Sequence, residues 1–284
     1  MTNAYGATVA KRRLSRRLRE LREDASYTAN QVCDRLSWGR GKVGRFEANS
    51  WKRPEMSDIR DLLRLYRVDD DERRALEELA MKARERAWWR EYNDVYGDDE
   101  FPGFEADSSR ICVYMPLILP GLLQTPEYTE AHMRIGANLP AWRKRALEAR
   151  QLRQEILDRT DGNAPELVAV VTQASLLYRW GTADERRAQL EHLAQMSLRP
   201  NVELRLLRFA DGLHSGMIGP INIFDFPDPA EPSAVYLETD FAIQEVSSQD
   251  DVKAYIETFG RIRQAAVDAD ATVADLKRIA ETLE

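Results

Sequence analysis

Cysteine is scarce in this sequence, and its scarcity excludes two kinds of small cross-linked domain. The only two cysteines, Cys33 and Cys112, are too few for a disulfide framework and lack the paired spacing of a zinc site. Both are therefore expected to be buried, reduced thiols.

Long hydrophobic runs are also missing. No stretch reaches the roughly 18 consecutive apolar residues that a membrane helix needs, and residues 1–13 lack the apolar segment of a signal peptide. We therefore expect a protein of the cytoplasm that has no membrane partner.

Histidine is rare, and the common catalytic motifs are absent. The three histidines, His132, His192 and His214, are far apart in the sequence, so no metal site is expected. The sequence contains no Gly-x-Ser-x-Gly elbow, no Walker loop and no dinucleotide-binding glycine fingerprint. It thus predicts no cofactor and no catalytic residue, although a reaction promoted by pocket shape alone would leave no motif.

The sequence does contain enough apolar material for two domains. Its 284 residues are 43% hydrophobic and 31% charged, as in soluble globular proteins. Residues 1–68 carry sixteen Lys and Arg against eight Asp and Glu, a net charge of +8, whereas the whole chain carries −7. A basic head on an acidic body is typical of a nucleic-acid module joined to a domain with another task, the alternative being charge that only solubilises.

Apolar residues recur at helical spacing through this basic head. Thr28 stands where the N-cap of a short helix belongs, and a turn at residues 37–39 separates that helix from the next. Two short helices in this order predict a helix-turn-helix whose second helix lies in a major groove about 12 Å wide. The predicted helices are Val9–Asp24, Thr28–Leu36, Arg40–Asn49 and one from Met56 to Tyr66.

Cationic residues cluster on and just after the second helix of that pair. Val43 and Phe46 would face the core, so that the cations between and beside them project outward. The basic face of the first helix would add phosphate contacts. The candidate DNA-binding residues are Thr28, Arg40, Lys42, Arg45, Lys52 and Arg53.

The head resembles a known family. The segment from Leu36 to Glu47, Leu-Ser-Trp-Gly-Arg-Gly-Lys-Val-Gly-Arg-Phe-Glu, and the later Pro54 are similar to the XRE (phage-repressor-like) helix-turn-helix family. Other segments extend the resemblance to a long actinobacterial subgroup of that family. These segments are Trp88–Trp89, Pro120–Thr125, Tyr128 and Tyr236–Glu238.

The resemblance implies an antitoxin-like transcriptional regulator that binds double-stranded DNA and is often paired with a small protein encoded nearby. The head departs from the family pattern, because Ala29 replaces a usual Gln and Gly39, Gly41 and Gly44 lie where Ser is favoured. Glycine costs about 1 kcal/mol relative to alanine inside a helix and offers no side chain to a base. Either the cations beside these glycines carry the binding, or the head survives only as a scaffold.

The acidic body alternates β-like and helical segments. The whole chain is therefore predicted to be α+β, with a helix-turn-helix domain at 1–68, a bridging helix and linker at 69–109 and a mixed α/β domain at 110–284. The predicted strands are Ile111–Leu119, Glu166–Thr172, Val202–Phe209, Pro220–Phe226 and Ala234–Thr239, and the predicted helices are Glu127–Ile135, Ala141–Arg159, Ala183–Leu198, Asp250–Ala269 and Thr272–Leu283.

Aromatic and apolar residues near the turns of the body predict a pocket for a small hydrophobic ligand, although most of them would serve in the core. The candidate lining residues are Trp142, Gln173, Tyr178, Trp180, Met217, Phe224, Tyr236 and Glu238.

Three functions remain open from the sequence. The first is a transcriptional regulator whose head binds DNA as a homodimer, because two half-sites lie about 34 Å apart, and whose body binds an effector or a partner protein. The second is a repurposed protein whose body binds or transforms a small molecule, for example in secondary metabolism, beside a degenerate helix-turn-helix. The third is a protein-interaction module that does not bind DNA.

Overall fold

The computed structural model describes residues 6–51, 53–136, 138–217, 219–238, 243–246 and 248–283. The chain forms two compact units, and the division lies between Arg90 and Glu91. This division falls inside the segment 69–109 that the sequence predicts to join two domains. No described helix is long and apolar enough to cross a membrane.

The first unit contains five α-helices within the described residues, and their apolar stripes form one core. Leu14, Leu18 and Leu21 of the first helix are buried as predicted, together with Val43 and Phe46 of the third. The helices are α1 (Ala7–Asp24), α2 (Ala29–Arg35), α3 (Lys42–Glu47), α4 (Met56–Leu65) and α5 (Asp70–Ala83).

The fifth helix, predicted as part of a bridge, belongs to this core. Asp69 caps its first turn by accepting hydrogen bonds from the backbone N–H groups of Asp71 and Glu72, both at 3.0 Å. Leu76 and Leu79 are buried, and Arg17 Nε on α1 lies 2.6 Å from Glu72 Oε1. The helix therefore closes the first unit, and it ends at Ala83.

The second unit is built on a six-stranded mixed sheet with the strand order β3-β2-β1-β4-β5-β6. β1, β2 and β3 are parallel, while β4, β5 and β6 are antiparallel to their neighbours. The predicted α+β class is confirmed, and β6 is the one strand among the described residues that was not predicted. The strands are β1 (Arg110–Met115), β2 (Glu166–Thr172), β3 (Val202–Leu207), β4 (Ile221–Asp225), β5 (Ala234–Glu238) and β6 (Ile243–Glu245).

Helices connect and cover these strands. Those between β1 and β2 and between β2 and β3 make the crossovers that parallel pairing requires. All five helices predicted for the body are present with shifted ends, and three short ones were not predicted. In chain order they are α6 (Asn93–Tyr96), α7 (Phe101–Asp107), α8 (Pro126–Ile135), α9 (Pro140–Gln154), α10 (Gln173–Leu177), α11 (Ala183–Met196), α12 (Gln249–Ala265) and α13 (Ala269–Glu281).

Helix α7 corrects the predicted linker. Its Phe101 ring packs edge-on against Phe224 of β4 at a centroid distance of 5.2 Å, and Phe104 lies 5.5 Å from Tyr236 of β5. Phe104 is only 1% exposed. The segment that looks turn-rich in sequence is thus an anchored part of the second core.

The two faces of the sheet have different roles. On one face Cys112 and Tyr114 join a core that includes Phe259 and Ile262 of α12. Because side chains alternate along a strand, the residues between them face the other side, where α7 packs. Both cysteines are free and buried, as predicted, and burial raises the pKa of Cys112 to about 12.

Removing the Phe104 ring tests whether α7 belongs to the core. We expect Phe104→Ala to lower the free energy of unfolding by about 3–5 kcal/mol, because it leaves a cavity beneath the sheet. Phe209→Ala is the control, since that ring is 64% exposed, and its cost should stay within about 0.5 kcal/mol. Urea denaturation measures both, and equal effects would show that α7 is not anchored.

Candidate nucleic-acid interface

Helix α2 begins at the cap that the sequence predicts. Thr28 Oγ1 accepts a hydrogen bond from Gln31 N at 3.2 Å, and Gln31 Oε1 accepts one from Thr28 N at 2.8 Å. This reciprocal pair satisfies two backbone donors at the helix start. The Thr28 hydroxyl, a candidate DNA contact, is thus engaged in holding α2.

The turn between α2 and α3 uses left-handed residues. Ser37 has φ 55°, and Trp38 N donates to Cys33 O at 2.8 Å, which closes the end of α2. Gly41 has φ 83° and is the N-cap of α3. Glycine adopts this backbone region without the penalty that a side chain brings.

The position of Gly41 corrects the interpretation of the glycines. The helix starts at Lys42, two residues later than predicted, so Gly39 and Gly41 lie in the turn and only Gly44 lies within α3. Gly41 is therefore suited to its place, and the expected loss of helix stability applies to one glycine only.

The end of α3 is fixed to α1 by a two-pronged ion pair. Arg22 Nε lies 2.6 Å from Glu47 Oε1 and Arg22 Nη2 lies 3.0 Å from Glu47 Oε2, while Arg22 Nη1 donates to Tyr27 O at 2.7 Å. The two side chains are 13% and 11% exposed. The hydrogen bond to Glu47 raises the pKa of the Arg22 guanidinium.

A residue with positive φ terminates α3, as predicted near residues 49 and 50. Asn49 has φ 56°, and Ser50 N donates to Arg45 O at 3.0 Å. Trp51 Nε1 then donates to Ser15 Oγ and to Phe46 O, both at 3.1 Å. These bonds hold the exit of α3 against α1.

Lys42, another candidate DNA contact, is paired within the protein. Its Nζ lies 2.7 Å from Asp58 Oδ1 on α4 and 4.1 Å from the centroid of the Trp38 ring. A charge already paired within the protein is a weaker partner for DNA phosphate. Lys42 thus fixes the start of α3, as Glu47 fixes its end.

The basic face predicted on α1 is also largely paired. Arg17 contacts Glu20 and Glu72, Arg19 contacts Glu23, and Arg22 contacts Glu47. Arg17 and Arg22 join α1 to other helices, whereas Arg19 pairs within α1. Fewer of these arginines are therefore open to phosphates than their number in the sequence implies.

Three of the candidate cations remain open. Arg40, Arg45 and Arg53 are exposed, and among the described residues none of them has an ion-pair partner. Arg40 lies in the turn before α3 and Arg45 lies in its last turn. Lys52, the sixth candidate, lies outside the described residues. A fixed short helix flanked by free guanidinium groups can bind phosphates or the edges of bases.

The predicted ligand residues do not form one pocket. Trp142 and Glu238 line a cavity in the second unit, and Phe224 and Tyr236 pack together at 5.8 Å in the core. The remaining four lie elsewhere. Gln173 accepts from Phe209 N, Trp180 packs on Tyr128 at 4.9 Å, and Tyr178 and Met217 are exposed.

The cavity contains polar residues that the sequence reasoning missed. Arg150 on α9 and Asn222 on β4 both line it. One signal was present, because Arg150 follows the buried Ala146 and Ala149 on the inward stripe of α9. A cation on an apolar stripe indicates either a buried ion pair or a binding site.

Two parts of the chain match known families. Residues 13–76 match the model of a helix-turn-helix domain, and residues 99–278 match the model of a domain of unknown function, DUF5753. No curated protein and no solved structure matches the chain.

The glycines at positions 41 and 44 are expected to respond in opposite ways to alanine. Gly41→Ala should lower the free energy of unfolding by about 1–2 kcal/mol, because the left-handed backbone disfavours a side chain. Gly44→Ala should raise it by about 0.5–1 kcal/mol, since a Cβ there has no neighbour within 4 Å. Urea denaturation measures both values, and stabilisation by Gly41→Ala would contradict the position of the helix start.

Breaking the Arg22–Glu47 pair should loosen α3. We expect Glu47→Ala to cost about 1–3 kcal/mol of stability, since a nearly buried guanidinium loses both oxygens of its closest carboxylate. Glu20→Ala, which breaks a more exposed pair with Arg17, serves as the control and should cost about 0–1 kcal/mol. Faster amide exchange in α3 of the Glu47 variant alone would report the loss directly, and equal exchange in both variants would contradict the role of the pair.

Proposed function

The chain belongs to the DUF5753 family, and from its helix-turn-helix unit we propose that it is a transcriptional regulator that binds double-stranded DNA. The observation that carries the proposal is the placement of Arg40, Arg45 and Arg53 beside a helix fixed at both ends. All three are exposed, and none has an ion-pair partner in the part of the chain that the structure describes. Open cations on a fixed scaffold are what a DNA site requires.

The net charge of the head supports the same proposal. Residues 1–68 have a net charge of +8 within a chain of −7, so DNA would be attracted to this part and repelled by the rest. We propose the first unit, up to Arg90, as the DNA-binding domain and the second unit, from Glu91, as the regulatory domain.

The finer assignment rests on the resemblance to the XRE family. We propose an antitoxin-like regulator of the cytoplasm that binds DNA as a homodimer, because a two-fold protein matches two half-sites about one helical turn apart. A small protein encoded nearby is the partner that the resemblance implies for the second unit.

A second candidate function follows from the cavity in the second unit. In this proposal the body binds a small molecule, and the first unit serves as a scaffold without sequence preference. The observation that favours it is the pairing of Lys42 and of the α1 arginines within the protein, which leaves few cations for DNA.

DNA selection with the full-length chain separates the two candidates. Duplexes selected from a random library, and duplexes from upstream of its own gene, are titrated by fluorescence polarisation across a range of salt concentrations. A regulator should bind a selected duplex with Kd on the order of 10⁻⁸ to 10⁻¹¹ M and random DNA at least about 10³-fold more weakly. If no duplex exceeds random DNA, the regulator proposal fails. Sedimentation of the complex gives the number of chains on each duplex.

Single arginine variants test the surface itself. Arg40→Ala and Arg45→Ala should each weaken binding to the selected duplex by about 1–3 kcal/mol if they contact bases, or lower the salt slope by about one if they contact phosphates. Arg64→Ala removes the same charge from α4, where Arg64 is 79% exposed and paired with Asp61, and should change little. Equal losses in all three variants would indicate a general charge effect and contradict the assigned surface.

A further inference from the structure

The second unit encloses a cavity of about 310 Å³ between the sheet and the helices that cover it. This volume is at the lower end of the ~300–1,000 Å³ typical of small-molecule sites. Ile111, Val113 and Met115, which alternate along β1, form an apolar wall, and Trp142 and Met133 contribute to the other sides. The space therefore fits a small ligand with an apolar body.

Arg150 brings an unpaired positive charge into this cavity. Among the described residues its one hydrogen-bond partner is the neutral Gln124 Oε1, at a long 3.4 Å from Nη1. Burial lowers the pKa of Arg150 to about 10, which still leaves it charged at neutral pH. Glu105 and Glu238 attract this charge, but neither forms an ion pair with it within the described residues, and a desolvated charge without an ion pair is costly.

Arg153, one turn further along the same helix, differs from Arg150 because it forms an ion pair. Its Nε lies 2.6 Å from Glu105 Oε2 and its Nη2 lies 2.8 Å from Glu105 Oε1. The two side chains are 10% and 4% exposed. The protein thus neutralises one of two neighbouring cations and leaves the other open to the cavity.

Asn222 provides a second unsatisfied donor on the wall. It is only 3% exposed, and its Nδ2 has no hydrogen-bond partner in the part of the chain that the structure describes. A buried donor left without an acceptor is costly. Within the described residues, Asn222 Nδ2 without an acceptor and Arg150 with one long hydrogen bond therefore line one space.

The loop after β1 is shaped around the guanidinium group. A Cβ on Gly121 would lie 2.0 Å from Arg150 Nη1, so glycine at this position leaves room for the charged group. Gln154 Nε2 holds that loop by donating to Gly121 O at 2.9 Å and to Gln124 O at 2.7 Å. The position of the cation is thus built into the fold.

Acidic groups in the same cavity limit the charge of a ligand. Asp99 and Glu238 both line it, and burial raises the pKa of Asp99. His132 also lines it, with a pKa lowered first by burial and then by Arg150. A multiply charged phosphate would be repelled by the carboxylates, whereas a single negative charge can be matched by Arg150 alone.

We propose that this cavity binds a small monocarboxylate with an apolar body. Its carboxylate pairs with the Arg150 guanidinium, Asn222 offers a further donor to its polar part, and the β1 wall contacts its apolar part. This site is independent of DNA binding by the first unit.

Ligand-observed NMR on the full-length chain tests the proposal, because it detects weak binding. The probes are the straight-chain carboxylates from butanoate to decanoate, benzoate and phenylacetate, each beside its neutral amide, with inorganic phosphate as a further comparison. At least one carboxylate should bind about tenfold or more tightly than its amide, as expected for a charge-assisted bond, and should outcompete phosphate. Equal binding of acids and amides, no binding of any probe, or preference for phosphate would overturn the proposal.

Three variants locate the site. Arg150→Gln removes the charge and Gly121→Ala displaces it, so both should weaken the best carboxylate about tenfold or more. Lys144→Gln removes the same charge from an exposed position of α9 and should leave the affinity unchanged. Equal affinity in all three variants would overturn the assignment to Arg150.

Melting temperatures show whether the variants still fold. Without ligand, Arg150→Gln should melt at or above the wild-type temperature, since it removes a desolvated charge that forms no ion pair within the described residues. The bound carboxylate should raise the melting temperature of the wild-type chain but not that of the Arg150 variant. A large drop in melting temperature for Arg150→Gln without ligand would show that Arg150 is structural, and would contradict the proposal.

Discussion

The ion pair between Arg22 and Glu47 fixes α3, the helix around which the candidate DNA surface is arranged. Helix α3 has only six residues, too few to be stable alone in water, so its position must come from tertiary contacts. Glu47 ties its last turn to α1, and Lys42 ties its first turn to α4. The residues that give the sequence its basic character are thus divided between holding the helix and remaining available to a partner.

Most of the fold could be predicted because its elements carry local signals. The five predicted strands are apolar runs bounded by turn residues, and each matches an observed strand to within a few residues. β6 was not predicted because a strand of three residues is too short to show an alternation of apolar and polar side chains. α7 was not predicted because Pro102 and Gly103 are typical of a turn. The contact that buries Phe104 is made by Tyr236, which is far away in the chain.

The sites could be predicted less well, because the role of a charged residue depends on distant partners. Arg40 and Lys42 look alike in sequence, but Asp58 on α4 pairs with only one of them. Arg150 and Arg153 also look alike, and their difference is made by Glu105, 48 residues before Arg153. Trp142 and Glu238 were predicted from the sequence as lining residues of a pocket. Arg150 and Asn222 were found to line the cavity only once the fold was known.

The outer face of α3 carries little besides Arg45. Gly44 has no side chain, nothing lies within 4 Å of where its Cβ would be, and Ala48 beyond it is small and exposed. A helix with such a smooth face can bring its backbone close to a groove but has few groups to distinguish one base from another. Any preference among DNA sequences would then come mainly from how easily each duplex bends or narrows to fit. Binding sites for such a protein would resemble one another in the flexibility of the duplex more than in a consensus base sequence.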